Sequence, residues 1–161
     1  MNAASPVAIG DAREPNEIAI VRALFERYAA ALPFDLAYQD FATELAGLPA
    51  PYVAPCGRLL LARDGGRAVG VVGLKPLASG TGEIKRLYVA PAARGRGIGE
   101  TLLRRALEAA RQIGYARVRL DSHRPSMGPA LALYRRLGFV EIPHYGPDLG
   151  GAIVFFEKML G

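Results

Sequence analysis

The stretch from residue 83 to residue 120 constrains the fold more than any other. Residues 83–89 (Glu-Ile-Lys-Arg-Leu-Tyr-Val) are rich in strand formers and stop short at Pro91. An Arg- and Gly-rich loop follows, and the apolar period then changes. Ile98, Leu102, Leu103, Ala106, Leu107, Ala110 and Ile113 form one helical stripe, with Glu100, Arg104, Arg105, Glu108 and Arg111 on the opposite face. Gly114 suits the helix C-terminus, and residues 117–120 return to a strand pattern.

Before this unit the pattern is an antiparallel meander. Residues 58–63 and 67–74 flank Asp64-Gly65-Gly66, a hairpin signal, and residues 75–82 form a second turn region. Further upstream, residues 7–9 read as a short strand. Residues 15–32 read as a helix with Pro15 in its first turn, and residues 36–45 as a shorter helix after Pro33. Downstream, residues 127–137 read as a helix closed by Gly138, and residues 139–142 and 152–159 as two last strands. This order calls for an α/β sheet with both parallel and antiparallel pairs. With 161 residues, 51% of them hydrophobic, the chain is long enough to bury a core as one domain, residues 1–161.

Several function classes fall away at once. No apolar run approaches the roughly 18 residues that a membrane span needs. The single cysteine, Cys56, excludes an internal disulfide framework and a cysteine-built zinc site. His123 and His144 do not form a ligand pair, so no metal site is expected. The N-terminus has no basic segment followed by an apolar core, and the expected setting is cytoplasmic.

Charge is concentrated. Ten basic and three acidic residues lie between Lys85 and Arg124, which gives this stretch +7 in a chain of net charge +5. An anionic partner near this stretch, a nucleic acid or a phosphorylated cofactor, is one reading; a solvated helix face is the other. The basic stretch contains only Tyr88 and Tyr115 as aromatics, which argues against nucleic acid. The loop Arg94-Gly95-Arg96-Gly97-Ile98-Gly99 runs straight into a helix start. A helix start offers unpaired N–H groups and the positive dipole end, and glycines let an anion approach them. The loop lacks the Gly-Lys-Ser/Thr ending of a Walker loop, and its glycines are not spaced as a dinucleotide fingerprint.

Arg94-x-x-Gly97-x-Gly99, after a strand ending Leu87-Tyr88-Val89-x-Pro91, resembles the acyl-CoA signature of the GNAT-type N-acetyltransferases. Leu133-Tyr134-Arg135-Arg136-Leu137-Gly138-Phe139 resembles that superfamily's second signature, one helix and one strand later. The resemblance covers residues 58–156. It implies a mixed, twisted sheet of about seven strands with about four helices, splayed between the fourth and fifth strands where acetyl-CoA lies. It further implies direct transfer of an acetyl group to a primary amine of a small molecule or peptide, by a monomer or homodimer. The alternative on the same fold is a non-catalytic acyl-CoA-binding module.

By the same resemblance, backbone groups of Arg94, Gly95, Arg96, Gly97, Ile98 and Gly99 hold the pyrophosphate. The strand Leu87, Tyr88 and Val89 pairs with the pantetheine arm, and Ser126 and Ala130 lie beside it. Arg94, Arg96 and Arg136 are candidates for the adenosine phosphate. Tyr134 matches the tyrosine near the CoA sulfur and is the candidate general acid; a core tyrosine is the plainer reading. Glu83 is the candidate general base, or a strand-edge carboxylate paired with Lys85 or Arg117. Many relatives carry asparagine where this chain has Met127, with Ser126 as the candidate replacement. Asp121 is a candidate ammonium ligand or a loop cap, and Tyr145 a candidate acceptor contact. Simple alternation sets Glu83, Lys85, Leu87 and Val89 on one face of their strand, unless a bulge intervenes.

Overall fold

The computed structural model describes residues 6–161. Strand β1 (Val7–Asp11) leads into helix α1 (Pro15–Ala31), whose start carries Pro15 and a reciprocal capping box between Glu14 and Glu17. The expected second helix is divided. Leu36–Gln39 is a 3₁₀ turn, Asp40 takes a left-handed conformation (φ 55°), and α2 (Phe41–Gly47) starts there. Asp35 accepts from the Ala37 N–H and stops the turn from merging with anything before it.

The meander follows as β2 (Arg58–Asp64), β3 (Arg67–Ala78) and β4 (Thr81–Val89). β3 runs four residues further than its alternation suggested, and β4 starts two residues earlier. Gly65 and Gly66, both at positive φ, make the first turn tight. Helix α3 (Ile98–Ile113) ends at Gly114, also at positive φ, and crosses over to β5 (Arg117–His123). Helix α4 (Gly128–Arg136), β6 (Val140–Ile142) and β7 (Ile153–Met159) complete the chain.

All seven strands join one sheet in the order β1-β2-β3-β4-β5-β7-β6. Every pair is antiparallel except β4 and β5, as expected when a helix makes the crossover. That parallel pair holds only over Thr81–Glu83 and Arg117–Arg119; beyond it the two strands part. The sheet is thus open at its middle.

Both faces are covered. Val72, Leu74 and Ile84 pack with Leu102, Leu103 and Ala106 of α3, and with Tyr134 and Phe156. Leu59, Leu61, Val71 and Tyr88 pack with Val21, Leu24 and Phe25 of α1 on the other face. Phe25 and Phe156 are fully buried, and each such side chain contributes about 1.5–3 kcal/mol of apolar burial. Among the described residues, no helix is long and apolar enough to cross a membrane.

Candidate active site

Two features of β4 shape the site. The first is the parting from β5. The second is a bulge: Val71 faces Tyr88 while Gly73 faces Lys85, so β4 carries one extra residue. Arg86 sits there at φ 62°, unusual for a residue with a side chain. The bulge overturns the simple alternation. Glu83 and Lys85 share a face with Tyr88, whereas Leu87 and Val89 pack on the α3 side with Ile84. One strand therefore presents charged groups to one cavity and apolar groups to another.

Arg86 is the anchor of the charged side. Its guanidinium is almost wholly buried and bonds Glu44 of α2 twice, from Nε at 3.0 Å and Nη2 at 2.8 Å. Nη1 donates to Gln39 at 2.8 Å, and the rings of Phe41 and Tyr28 lie 5.0 and 5.7 Å from its carbon. Tyr52 adds a hydrogen bond to Glu44 at 2.9 Å. Burial alone pushes the Glu44 carboxyl upward, but the bonds and charge of Arg86 outweigh it and hold the group below its ordinary value.

A cleft of about 600 Å³ runs between the end of β4, the start of α3, α4 and the end of α1. Leu87, Tyr88, Val89, Arg94, Gly95, Gly97, Ile98, Gly99, Ser126, Ala130 and Tyr134 all line it. Gly97 is the N-cap of α3 and offers no side-chain cap to the N–H groups of the first turn. Space at Gly95 and Gly97 is open, and both sit at positive φ (82° and 76°). This is a backbone cradle that fits a pyrophosphate. Glu100 also borders the cleft, with its carboxylate drawn off by Arg104 and Arg136. Arg94 donates to the Val89 carbonyl at 3.0 Å and covers the Tyr88 ring. Arg96 does not line the cleft; its guanidinium pairs with Asp64 at 2.6 Å.

Tyr134 closes the inner end of this cleft against Phe139 and Phe156. Burial, with small additions from Tyr28 and Asp121, raises its phenol above the ordinary range, so it holds its proton at neutral pH. Met127 lies beside it and accepts from the Ser122 hydroxyl at 3.2 Å. Ser126 instead meets the His123 ring at 2.6 Å.

Across the sheet a second cavity of about 440 Å³ lies beneath α2 and the loop at residues 143–151. Glu83, Lys75, Lys85, Asp121 and Tyr145 line it. The Glu83 side chain is nearly buried. Its partners are Tyr145, which donates at 2.8 Å, and Lys75 at 3.4 Å, rather than the Lys85 or Arg117 of the alternative reading. Burial, then the charges of Glu83 and Asp121, push the Tyr145 phenol strongly upward. A small pocket of about 20 Å³, the throat, shares Tyr134 and Tyr28 with the cleft and Lys85 and Asp121 with the second cavity; Ser122 also lines it, and it has room for about one water-sized group. Among the described residues, no cluster of His, Cys, Asp or Glu could hold a metal ion.

The residues that the sequence singles out, the glycine loop, Tyr134, Glu83 and Tyr145, line the two cavities; Arg86, Glu44, Gln39 and Lys75, which also line the second cavity, were not singled out. Adjacent Lys85 and Arg86 inside an apolar strand were the available sign of a bulge. No local sign marks Gln39 or Glu44, which reach the site from more than forty residues away.

The chain and its fold have known counterparts. A family model described as Acetyltransferase (GNAT) family matches residues 20–139. An uncharacterized N-acetyltransferase of Schizosaccharomyces pombe is 33% identical over 137 residues, covering 84% of this chain and 83% of that protein. A candidate acyl-CoA N-acyltransferase structure from Klebsiella pneumoniae is 30% identical with a TM-score of 0.72, over 96% of this chain and 98% of that one. A candidate acetyltransferase from Salmonella typhimurium, solved with its cofactor acetyl-CoA, shares the fold at 20% identity and a TM-score of 0.73, over 96% and 94% of the two chains. The family match runs from inside α1 to just beyond α4 and so takes in most of the cleft: the chain belongs to the GNAT acetyltransferases and is an acyltransferase that uses acetyl-CoA.

Proposed function

We propose that the protein is an N-acetyltransferase that moves an acetyl group directly from acetyl-CoA to a primary amine. The observation that carries this reading is the throat: one water-sized pocket at Tyr134 shares its lining with both a cofactor-sized cleft and a charged cavity. In this reading the cradle at Gly95–Gly99 takes the pyrophosphate, and Leu87 and Val89 offer main-chain groups to the pantetheine arm. The amine enters from the Glu83 side.

The chemistry needs two proton movements. An incoming ammonium gives up a proton to Glu83 through water, since Glu83 lines the acceptor cavity but not the throat. The nitrogen then forms a bond to the acetyl carbon while the carbon–sulfur bond breaks. Tyr134 donates its proton to the departing sulfur and is reprotonated through water by the surplus proton on nitrogen, while Glu83 passes its proton to solvent. A phenol with a raised pKa is a weak acid, so Tyr134 acts late, once charge has built up on sulfur. Holding the two reactants in line supplies the rest of the rate.

The test is Tyr134→Phe with an amine panel, followed by thiol release and product mass. Turnover should fall by about 10²-fold or more while acetyl-CoA affinity stays within about twofold. Tight acetyl-CoA binding by the wild type with no transfer to any amine would instead indicate a non-catalytic acyl-CoA-binding module.

A further inference from the structure

Lys85 and Asp121 face each other across the opening of the sheet. The last main-chain pair of β4 and β5 joins Glu83 to Arg119, and each of these residues lies two positions beyond it. Their side chains span the gap that the backbones leave: Lys85 Nζ is 3.4 Å from Asp121 Oδ2 and 3.2 Å from Gln39 Oε1. Both line the throat and the acceptor cavity. Arg86 also lines both, but its donors are engaged by Glu44 and Gln39.

The Lys85–Asp121 pair is mostly buried, with side-chain exposures of 10% and 18%. Burying an ammonium is costly unless strong partners replace its water. A tight charge-assisted bond runs at about 2.7–2.9 Å, so this pair is loose. An ammonium has three donors and a carboxylate about four acceptor sites, so both groups keep capacity toward the cavity.

We infer that the acceptor is an amine carrying an anionic group beside its nitrogen, of the kind found in a free α-amino acid, and that it docks across the Lys85–Asp121 pair. This rests on the amine-acceptor reading above. A zwitterion brings opposite charges at a spacing close to that of the pair. Its carboxylate takes Lys85 and its ammonium takes Asp121. One internal pair becomes two, and no net charge is buried. The nitrogen then lies at the throat beside Tyr134. A simple amine would leave Lys85 without an anion of its own and compete with it for Asp121. An amino acid's side chain would extend toward Tyr145 and Phe155 in the wider cavity.

The experiment uses the full chain, saturating acetyl-CoA and matched triplets: a free L-amino acid, its α-amide and its decarboxylated amine. The triplets span aromatic, aliphatic, acidic and basic side chains, and kcat/KM is read by thiol release and product mass. In the accepted triplets the free acid should exceed both partners by about tenfold or more. Lys85→Gln should collapse that ratio toward one through the KM of the acid, and Lys85→Arg should restore part of it. The wild-type comparison decides even if a variant fails to fold. Equal or better turnover of the amides and simple amines overturns the inference while leaving the amine reading intact. Transfer to no amine, with acetyl-CoA bound, overturns both.

Discussion

Removing the charge of Glu44 should destabilise the protein without touching the apolar core. In Glu44→Gln the guanidinium of Arg86 stays buried, but it loses the carboxylate that bonds it twice, at 2.8 and 3.0 Å. What remains is one bond to Gln39 and the faces of Phe41 and Tyr28. Breaking a buried pair by neutralising one partner costs about 3–5 kcal/mol. The glutamine carbonyl can still accept one bond, which favours the lower end, about 3 kcal/mol. For a chain of this size that corresponds to a fall in Tm of about 6–12 °C. The pH dependence gives an internal check. The Glu44 carboxyl is held below its ordinary value of 4.5 in the folded chain, so its contribution is complete above that pH and is lost as pH falls through the folded value. Melting curves of wild type and variant should therefore differ by a constant amount near neutrality and converge in acid. A gap under about 2 °C at pH 7, too small for a buried pair, or one that persists unchanged in acid, would refute the argument.

Gly97→Glu should leave the fold near intact, because no atom lies within 4 Å of a Cβ there, at a backbone cost of about 1–2 kcal/mol for φ 76°. Its carboxylate would fill the cradle, and calorimetry should show acetyl-CoA affinity reduced by about tenfold or more. Gly73→Ala should be worse for stability than its size suggests. The new methyl carbon would stand 2.6 Å from the Tyr52 ring, which is fixed by Glu44 and by an edge contact with Phe25. A loss of about 1–3 kcal/mol is expected in urea unfolding, and an unchanged midpoint would mean that Tyr52 can move aside.

What was legible in the sequence is what depends on neighbours along the chain. The stripe of α3, its glycine stop, the Gly65-Gly66 turn and the glycine spacing of the cradle are local signals, and the elements appear where those signals lie. The facing of β4 stayed open in the sequence, because alternation assumes one residue per step and cannot locate a bulge. Arg86 breaks that assumption, and what holds it in place is a carboxylate 42 residues away. The partners of Glu83 were missed for the same reason: Tyr145 arrives from a loop 62 residues on. Arg96 shows the limit of charge counting, since a basic residue in the glycine-rich loop pairs its guanidinium with Asp64. The helix expected at residues 36–45 is interrupted by Asp40, whose left-handed backbone has no strong marker in the sequence.

The short β4–β5 pairing has a thermodynamic consequence. Only three residues on each strand join the four-stranded half of the sheet to the three-stranded half, and past them the facing amides of both strands have no ladder partner. The seam is thus the natural boundary between two cooperative units, and amides near it should exchange with solvent through local opening well before global unfolding. A molecule that lies in the seam and pairs with β4 is linked to that opening, because it binds only the closed form. Part of the affinity for acetyl-CoA would then appear as protection of amides in β4 and β5, and saturation would bring the two halves closer to melting as one.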